Sequence, residues 1–230
     1  MKSLLWKDYR NNRLLLIFGF AVCVGPWIIA IVRYIQLSMK GEDVWWGADP
    51  WVSTFSVSVG LSLITIAMLG GNAIAAERAD RSAEFLAYLP VSRKSILLSK
   101  ALIAVPTALV IWMVNLVLLF WVTPCIAEGV SAADMVRRPE VREMLGVLAA
   151  TSILLLGSGW FWSAVLNSHG LATGMSFFVL AVVVLGITGI EYGLGVEGFF
   201  TNKTITIVSL VVGIGGYMAG CGYYLRRLEP

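Results

Sequence analysis

Six long apolar stretches constrain this chain more than any other feature of its sequence. A helix needs about 20 apolar residues to cross a hydrocarbon core of roughly 30 Å. Stretches of that length lie at about 14–32, 51–76, 101–122, 144–166, 171–190 and 204–225. Only 13% of the 230 residues are charged and the mean hydropathy is +0.83, whereas about a quarter of the residues in soluble domains are charged. The sequence therefore predicts an all-α, polytopic integral membrane protein in which residues 1–230 form one membrane domain with six transmembrane helices.

The lysines and arginines favour one orientation of these helices. Cytoplasmic segments of membrane proteins carry an excess of Lys and Arg. With both termini in the cytoplasm, that side holds eleven of the seventeen basic residues: Lys2, Lys7, Arg10, Arg13, Arg78, Arg81, Arg93, Lys94, Lys100, Arg226 and Arg227. The remaining basic residues lie on the other side among nine acidic ones. We therefore expect a multi-pass protein of the cell membrane, inner or plasma, with both termini cytoplasmic.

Two segments outside the predicted spans are expected to lie along the membrane surface. Residues 1–13 place apolar and aromatic side chains among charged ones, which fits an amphipathic elbow at the cytoplasmic interface or, equally well, a basic flank that only fixes orientation. Residues 131–145 are predicted to form a short helix on the outer interface. Trp45, Trp46 and Trp51 cluster where span two begins, and we expect them at the membrane surface because aromatic rings favour it.

The predicted spans contain few polar groups. No acidic or basic residue lies centrally in any of them, which disfavours a proton- or ion-coupled transporter. The G-x-x-x-G pairs Gly170–Gly174 and Gly216–Gly220 predict close contact between helices, because small residues let two backbones approach each other. Four polar residues are expected to form hydrogen bonds between helices: Asn115, Ser152, Ser158 and Ser163.

Motifs for catalysis, metal binding or nucleotide binding are not visible in the sequence. His169 lies in an N-S-H-G turn between spans four and five, and the three cysteines are far apart without a C-x-x-C motif. There is no G-x-x-x-x-G-K-[ST] phosphate loop. The basic residues lie at the ends of apolar stretches, so the net charge of +3 does not point to a nucleic-acid partner. We therefore expect a chain that is not an enzyme and that holds neither a cofactor nor a metal of its own.

The most informative segment is the loop 77–100 between spans two and three. Its sequence is E-R-A-D-R-S-A-E-F-L-A-Y-L-P-V-S-R-K-S-I-L-L-S-K. Phe85, Leu86 and Leu89 recur at helical spacing, so a short helix in this loop would have one apolar face. Pro90 is expected to end that helix and Ser92 to cap the next one. A short amphipathic helix of this kind is suited to docking in the groove of a partner protein.

This loop resembles the corresponding loop in the permease subunits of type-two ABC exporters. That loop reads approximately E-R-x-x-G-T-x-E-x-L-L-x-L-P-V-S-R and is followed by G-K. The chain departs from it at Arg81-Ser82, at Ala87 and at Ser99, where Gly-Thr, Leu and Gly are usual. The six spans, the N-terminal elbow and the length are also similar to that family. Ten positions match in order and spacing: Glu77, Arg78, Glu84, Leu86, Leu89, Pro90, Val91, Ser92, Arg93 and Lys100.

The resemblance implies that 77–100 carries a cytoplasmic coupling helix that rests on a separate ATP-binding cassette subunit. That subunit would bind ATP and Mg²⁺, and two permeases, identical or related, would form the translocation path of an ATP-driven exporter. The alternative is a non-transporting membrane protein, such as an immunity or sensor module or a small intramembrane enzyme. The residues expected to contact the ATPase or to bracket the loop are Glu77, Arg78, Arg81, Glu84, Phe85, Leu86, Leu89, Pro90 and Arg93.

The orientation can be tested by labelling single cysteines in a variant that lacks the native ones. Cysteines at Ser82 and Ser168 should resist a membrane-impermeant thiol reagent in intact cells, while cysteines at Asp49 and Ala133 should react. Each variant should react fully after the membrane is opened with detergent, which is the control for accessibility. Labelling at Ser82 in intact cells would reverse the predicted orientation.

Overall fold

Helices account for nearly all of the chain that the structure describes. The computed structural model describes residues 2–40, 48–79, 92–126, 131–194 and 201–227. These ranges contain eight α-helices and one π-helical turn: α1 (Lys2–Met39), α2 (Ala48–Ala79), α3 (Arg93–Val117), the π-helical turn (Leu118–Val122), α4 (Thr123–Ile126), α5 (Ala132–Arg137), α6 (Pro139–Val165), α7 (His169–Leu194) and α8 (Thr201–Arg227). Six helical segments of the described ranges are long and apolar enough to cross a membrane. This confirms the all-helical class and the six predicted spans, and it indicates a multi-pass membrane protein.

The helices form a bundle in which α6 packs against α8, α2 and α7, while α1 and α3 pack against α2 and against each other. One hydrophobic cluster brings together Leu4, Ile74, Ile96 and Tyr224. The first turns of α1 and α3 and the last turns of α2 and α8 therefore share one end of the bundle, which we call the terminal end. A second cluster, which includes Trp27, Trp51, Leu119 and Met135, lies towards the opposite end.

Close contact between helix backbones holds α6 against α8. A Cβ atom on Gly157 would collide with the carbonyl of Gly213, and one on Gly213 would lie 2.6 Å from the carbonyl oxygen of Ile153. A Cβ on Gly216 would lie 3.1 Å from the oxygen of Gly157, and one on Gly220 would lie 2.9 Å from a backbone atom of α6. The prediction of close packing at Gly216–Gly220 is therefore confirmed.

The same motif at Gly170–Gly174 does not mediate helix contact. Outside its own helix backbone, no described atom lies within 4 Å of the Cβ position of Gly174, and among the described residues Gly170 has only the hydroxyl of Ser168, 3.9 Å away. This prediction was wrong because a G-x-x-x-G pair permits close approach but does not determine which side of a helix has a neighbour.

The N-terminal residues do not form a separate elbow in the described part of the chain. α1 begins at Lys2 and continues to Met39, so no turn separates residues 1–13 from the first span. The physical reason is that Lys7 and Asp8 form ion pairs with α2 and α3, which hold the first turns of α1 along the bundle.

The segment 131–145 is not one interfacial helix, so that prediction was wrong. α5 ends at Arg137, Arg138 is extended (φ −67°, ψ 120°), and α6 begins at Pro139. The break arises because the residue before a proline avoids the helical region, whereas proline itself is well suited to the first position of a helix. Residues 139–145 therefore belong to the fourth span, and Met135 of α5 is fully buried in the cluster near the opposite end.

Trp51 lies at the start of the second span, and neighbouring helices cover it. Its ring is fully buried and stacks on Trp27 with a centroid distance of 6.5 Å, and Tyr34 lies 6.0 Å from it. These aromatic partners hold the first turns of α2 against α1. Trp45 and Trp46 lie outside the described residues.

Two glycines of α8 provide a matched test of the backbone contact. Gly213→Ala should lower the free energy of unfolding by about 1–3 kcal/mol, because the new methyl group forces α6 and α8 apart. Gly215→Ala should cause no loss, because nothing lies within 4 Å of its Cβ position. Thermal unfolding of the two purified variants in detergent measures the difference, and equal stability would contradict the contact.

Candidate functional site

The two ends of the loop 77–100 meet at a buried ion pair at the terminal end of the bundle. Glu77 lies in the last turn of α2, and Lys100 lies two turns into α3. The ammonium nitrogen of Lys100 is 3.1 Å from Oε1 of Glu77, and the side chains are only 5% and 7% exposed. The first and last residues of the loop motif are therefore joined directly.

The first turns of α1 complete this arrangement. Lys7 Nζ lies 2.9 Å from the same Glu77 oxygen, and Lys100 Nζ lies 3.6 Å from Oδ1 of Asp8. The hydroxyl of Ser99 donates a hydrogen bond of 2.7 Å to Oδ2 of Asp8. We call these five residues the ion cluster. Its two cations balance its two anions, and it joins α1, α2 and α3.

Local sequence explains how these charges come to be buried. In α1, Leu4, Asp8 and Leu15 are all buried and recur at helical spacing on one face, so the apolar neighbours carry the carboxylate inwards. In α3, Ile96 and Ala104 are buried on either side of Lys100 in the same way. Between Ile96 and Ala104 the buried residues of α3 are therefore apolar except for Ser99 and Lys100, which contact Asp8.

The ion cluster is stable only as a set. An isolated charge in a medium of low dielectric constant is strongly disfavoured, and the attraction between partners offsets the desolvation only when the geometry is good. Lys100 contacts both carboxylates and is almost fully buried, whereas Lys7 is 29% exposed. Removal of Lys100 would therefore leave Asp8 without a cation, while removal of Lys7 leaves the Glu77–Lys100 pair intact.

A small polar cavity borders the ion cluster. Its volume is about 60 Å³, and its lining includes Asp8, Asn12, Asn72, Glu77 and Lys100. The side-chain amide of Asn12 donates to the backbone oxygen of Asp8 at 2.9 Å. A cavity of this size accommodates a few water molecules, so it can hydrate the charges but cannot hold a larger organic solute.

A second polar cluster joins α1, α2 and α3 deeper in the bundle. Asn115 is fully buried and accepts hydrogen bonds from Trp27 Nε1 at 3.1 Å and from the Ser58 hydroxyl at 2.6 Å. Its amide nitrogen donates to the Ile111 oxygen at 2.9 Å and to the Cys23 sulfur at 3.0 Å. All of these groups are paired internally, so the cluster has a structural role and the prediction for Asn115 is confirmed.

Two of the three predicted serines also link helices. Ser152 of α6 accepts from Trp112 Nε1 of α3 at 3.0 Å. Ser163 of α6 accepts from the backbone nitrogens of Ile74 and Ala75 of α2, at 2.6 and 2.8 Å. Ser158 instead donates to the Leu154 oxygen of its own helix at 2.6 Å, so that prediction was wrong. Its hydroxyl finds its hydrogen-bond acceptor in the preceding turn of its own helix, as buried serines in helices often do.

The structure describes only part of the predicted coupling loop. Glu77 is buried in the ion cluster, Arg78 belongs to the last turn of α2, and Arg93 is the half-buried first residue of α3. Ser92 caps α3 as predicted, because its hydroxyl accepts from the Ser95 nitrogen at 3.3 Å. The following predicted residues lie outside the described ranges: Arg81, Glu84, Phe85, Leu86, Leu89 and Pro90.

Sequence reasoning did not identify Lys7 and Asp8 as partners of the loop, or Ser99 as the loop residue that donates to Asp8. A usable signal was present for Asp8, which shares a helical face with Leu4 and Leu15 and is therefore directed towards the core. Nothing local indicated that its partner would be Lys100, because the two residues are far apart in the sequence and meet only in the folded bundle.

Comparisons with models of protein families, with curated proteins and with solved structures gave no match. They assign the chain to no family. The resemblance of the loop 77–100 to ABC permeases therefore remains an expectation drawn from the loop residues.

The two lysines of the ion cluster provide a matched test of its energetics. Lys100→Met should lower the free energy of unfolding by about 3 kcal/mol, because it leaves a buried carboxylate without its cation. Lys7→Met should cost about 1 kcal/mol or less, because Lys7 is partly hydrated. Thermal unfolding in detergent measures both losses.

A double variant separates charge from packing. Asp8→Asn combined with Lys100→Met should recover part of the stability lost in Lys100→Met, because it removes the uncompensated carboxylate. Equal losses for the two single lysine variants, with no recovery in the double variant, would contradict the cluster.

Proposed function

We propose that the chain is the membrane-spanning permease subunit of an ATP-driven ABC exporter. It would act with a separate ATP-binding subunit and with a second permease, either a copy of itself or a related chain. One observation carries the proposal: the ten-position loop motif begins and ends at Glu77 and Lys100, and these two residues form a buried ion pair of 3.1 Å. A loop that must transmit force needs its two ends fixed to the membrane helices, and the ion pair provides that fixation.

The loop residues then divide into two groups. Phe85, Leu86 and Leu89 would fill an apolar groove on the ATPase, because buried apolar anchors dominate the binding energy of such interfaces. Polar contacts at the rim of the groove would come from Arg78, Arg81, Glu84 and Arg93. Pro90 would separate the docking helix from α3.

Glu77 is better suited to fix the first end of the loop than to contact the ATPase. Its carboxylate is almost fully buried and is shared by Lys7 and Lys100, so little of it is accessible to another protein. Through these lysines, movement of the loop would reach α1 and α3 as well as α2.

Transport would follow from the coupling of two states. ATP binding would draw the two ATPase subunits together and displace the docking helices, which favours one packing of the two bundles over the other. The displacement would reach α1 and α3 only through contacts that differ between the two states. In this arrangement the terminal end of the bundle is cytoplasmic, and the exposed Trp6 and Tyr9 of α1 lie at that membrane surface in place of an elbow.

The proposal is tested by copurification of the tagged chain with an ATPase subunit that carries a phosphate-loop motif. Leu86→Asp should abolish copurification, because the carboxylate would be buried in an apolar groove without a partner, at a cost of several kcal/mol. Val136→Asp is the matched control, because Val136 is an exposed apolar residue of α5, at the end of the bundle opposite to Glu77 and Lys100. It should leave the complex intact.

Arg93→Ala gives a graded comparison. It should weaken the complex by only about 1 kcal/mol and in a salt-dependent manner, because Arg93 would be a rim charge. All three variants should unfold in detergent at nearly the same temperature as the unmodified chain. An intact complex with Leu86→Asp, or the absence of any such ATPase subunit from the purified chain, would overturn the proposal.

A further inference from the structure

One exposed stripe of α1 changes from apolar to cationic along its length. Trp6, Arg10, Arg13, Ile17 and Phe20 follow one another at intervals of four, three, four and three residues, which places them on the same face of the helix. All five are exposed, and the three apolar side chains are between 60% and 66% exposed. At this end of α1 the buried residues lie on the opposite face.

The position of the two arginines along α1 matches the boundary of the hydrocarbon core. No charged residue lies between Arg13 and Arg33, which are 20 residues apart. At 1.5 Å per residue this separation is about 30 Å, the thickness of the core. If both arginines avoid the hydrocarbon, Arg13 lies at one boundary and Arg10 about 4.5 Å further out. Ile17 and Phe20 then lie beside acyl chains.

The charges of this stripe are not neutralised within the described part of the chain. Neither Arg10 nor Arg13 forms an ion pair or hydrogen bond with a described residue. The one acidic residue of α1, Asp8, is buried on the other side of the helix and is paired with Lys100. Two adjacent guanidinium groups with free donors match a phosphate group, which they can bind with two parallel hydrogen bonds each.

We propose that this stripe binds an anionic phospholipid, with its phosphate between Arg10 and Arg13 and one acyl chain along Ile17 and Phe20. The ring of Trp6 lies beyond the arginines, 5.7 Å from the ring of Tyr9, at the level where aromatic side chains contact lipid headgroups. An acidic protein would match the arginines but not the apolar residues that continue the stripe into the membrane. The inference depends only on the chain spanning a membrane and is independent of transport.

The test compares lipid binding by the full chain and by charge-matched variants in detergent. Native mass spectrometry should show that the unmodified chain retains phosphatidylglycerol in preference to phosphatidylcholine with the same acyl chains. In Arg10→Gln/Arg13→Gln the preference should fall by about 25-fold, since each arginine near an anionic surface contributes about fivefold. Arg137→Gln/Arg142→Gln, which removes the same charge from exposed residues of α5 and α6, should retain it.

Two further measurements make each outcome decisive. Arg10→Lys/Arg13→Lys keeps the charge and should retain most of the preference, and all variants should unfold at the same temperature when lipid is absent. Inorganic phosphate should not raise the unfolding temperature of the unmodified chain, whereas phosphatidylglycerol should. An unchanged preference in the Gln pair, loss of the preference in the Lys pair or in the Arg137/Arg142 control, or equal stabilisation by free phosphate would overturn the proposal.

Discussion

Buried charge is the constraint on which the terminal end of the bundle depends. The interior of a helix bundle disfavours an isolated carboxylate or ammonium group, so each buried charge needs a partner inside the protein. Lys100 meets this requirement for Asp8 and Glu77 at once, and in doing so it fixes the ends of α1, α2 and α3 relative to one another. The apolar cluster around Leu4 and Ile96 at the same end assembles around this junction.

The helices within each half of the bundle are joined by a different kind of interaction. Apolar burial contributes little between helices in lipid, because the lipid is as apolar as the side chains that it surrounds. α1, α2 and α3 are joined by polar contacts, namely the ion cluster and the hydrogen bonds of Asn115. α6 and α8 are joined by direct backbone contact at Gly157 and Gly213. Polar contacts can exchange partners, whereas direct backbone contact cannot rearrange unless the helices separate. α1, α2 and α3 can therefore tolerate a change in their packing that α6 and α8 cannot.

The sequence predicted the features that depend on the length and composition of a segment. It did not predict the features that depend on which residues lie beside that segment in the folded bundle. The six spans follow from apolar stretches of sufficient length, and the role of Asn115 follows from the cost of burying an amide without partners. The partner of Asp8 could not be predicted, because Lys100 is brought to it only by the folded bundle. The pairs Gly170–Gly174 and Gly216–Gly220 have the same spacing and opposite outcomes, since the spacing does not specify which face of a helix is covered. The break at Arg138 was predictable in principle from Pro139, because the residue before a proline avoids the helical region.

One departure from the loop pattern of ABC permeases supports the proposed coupling function. Ser99 stands where glycine is usual in the loops that this chain resembles, and its hydroxyl donates to Asp8. The substitution therefore adds a contact between α3 and α1 at the base of the loop. α1 is separated from the loop in sequence by α2, so under the proposed function a force on the docking helix would reach α1 through the packing between helices. The ion cluster is the polar contact between α1, α2 and α3 that lies at the ends of the loop, and the Asn115 hydrogen bonds join the same three helices deeper in the bundle. Under the proposed function, the stability of the ion cluster therefore contributes to how closely the first turns of α1 follow the loop.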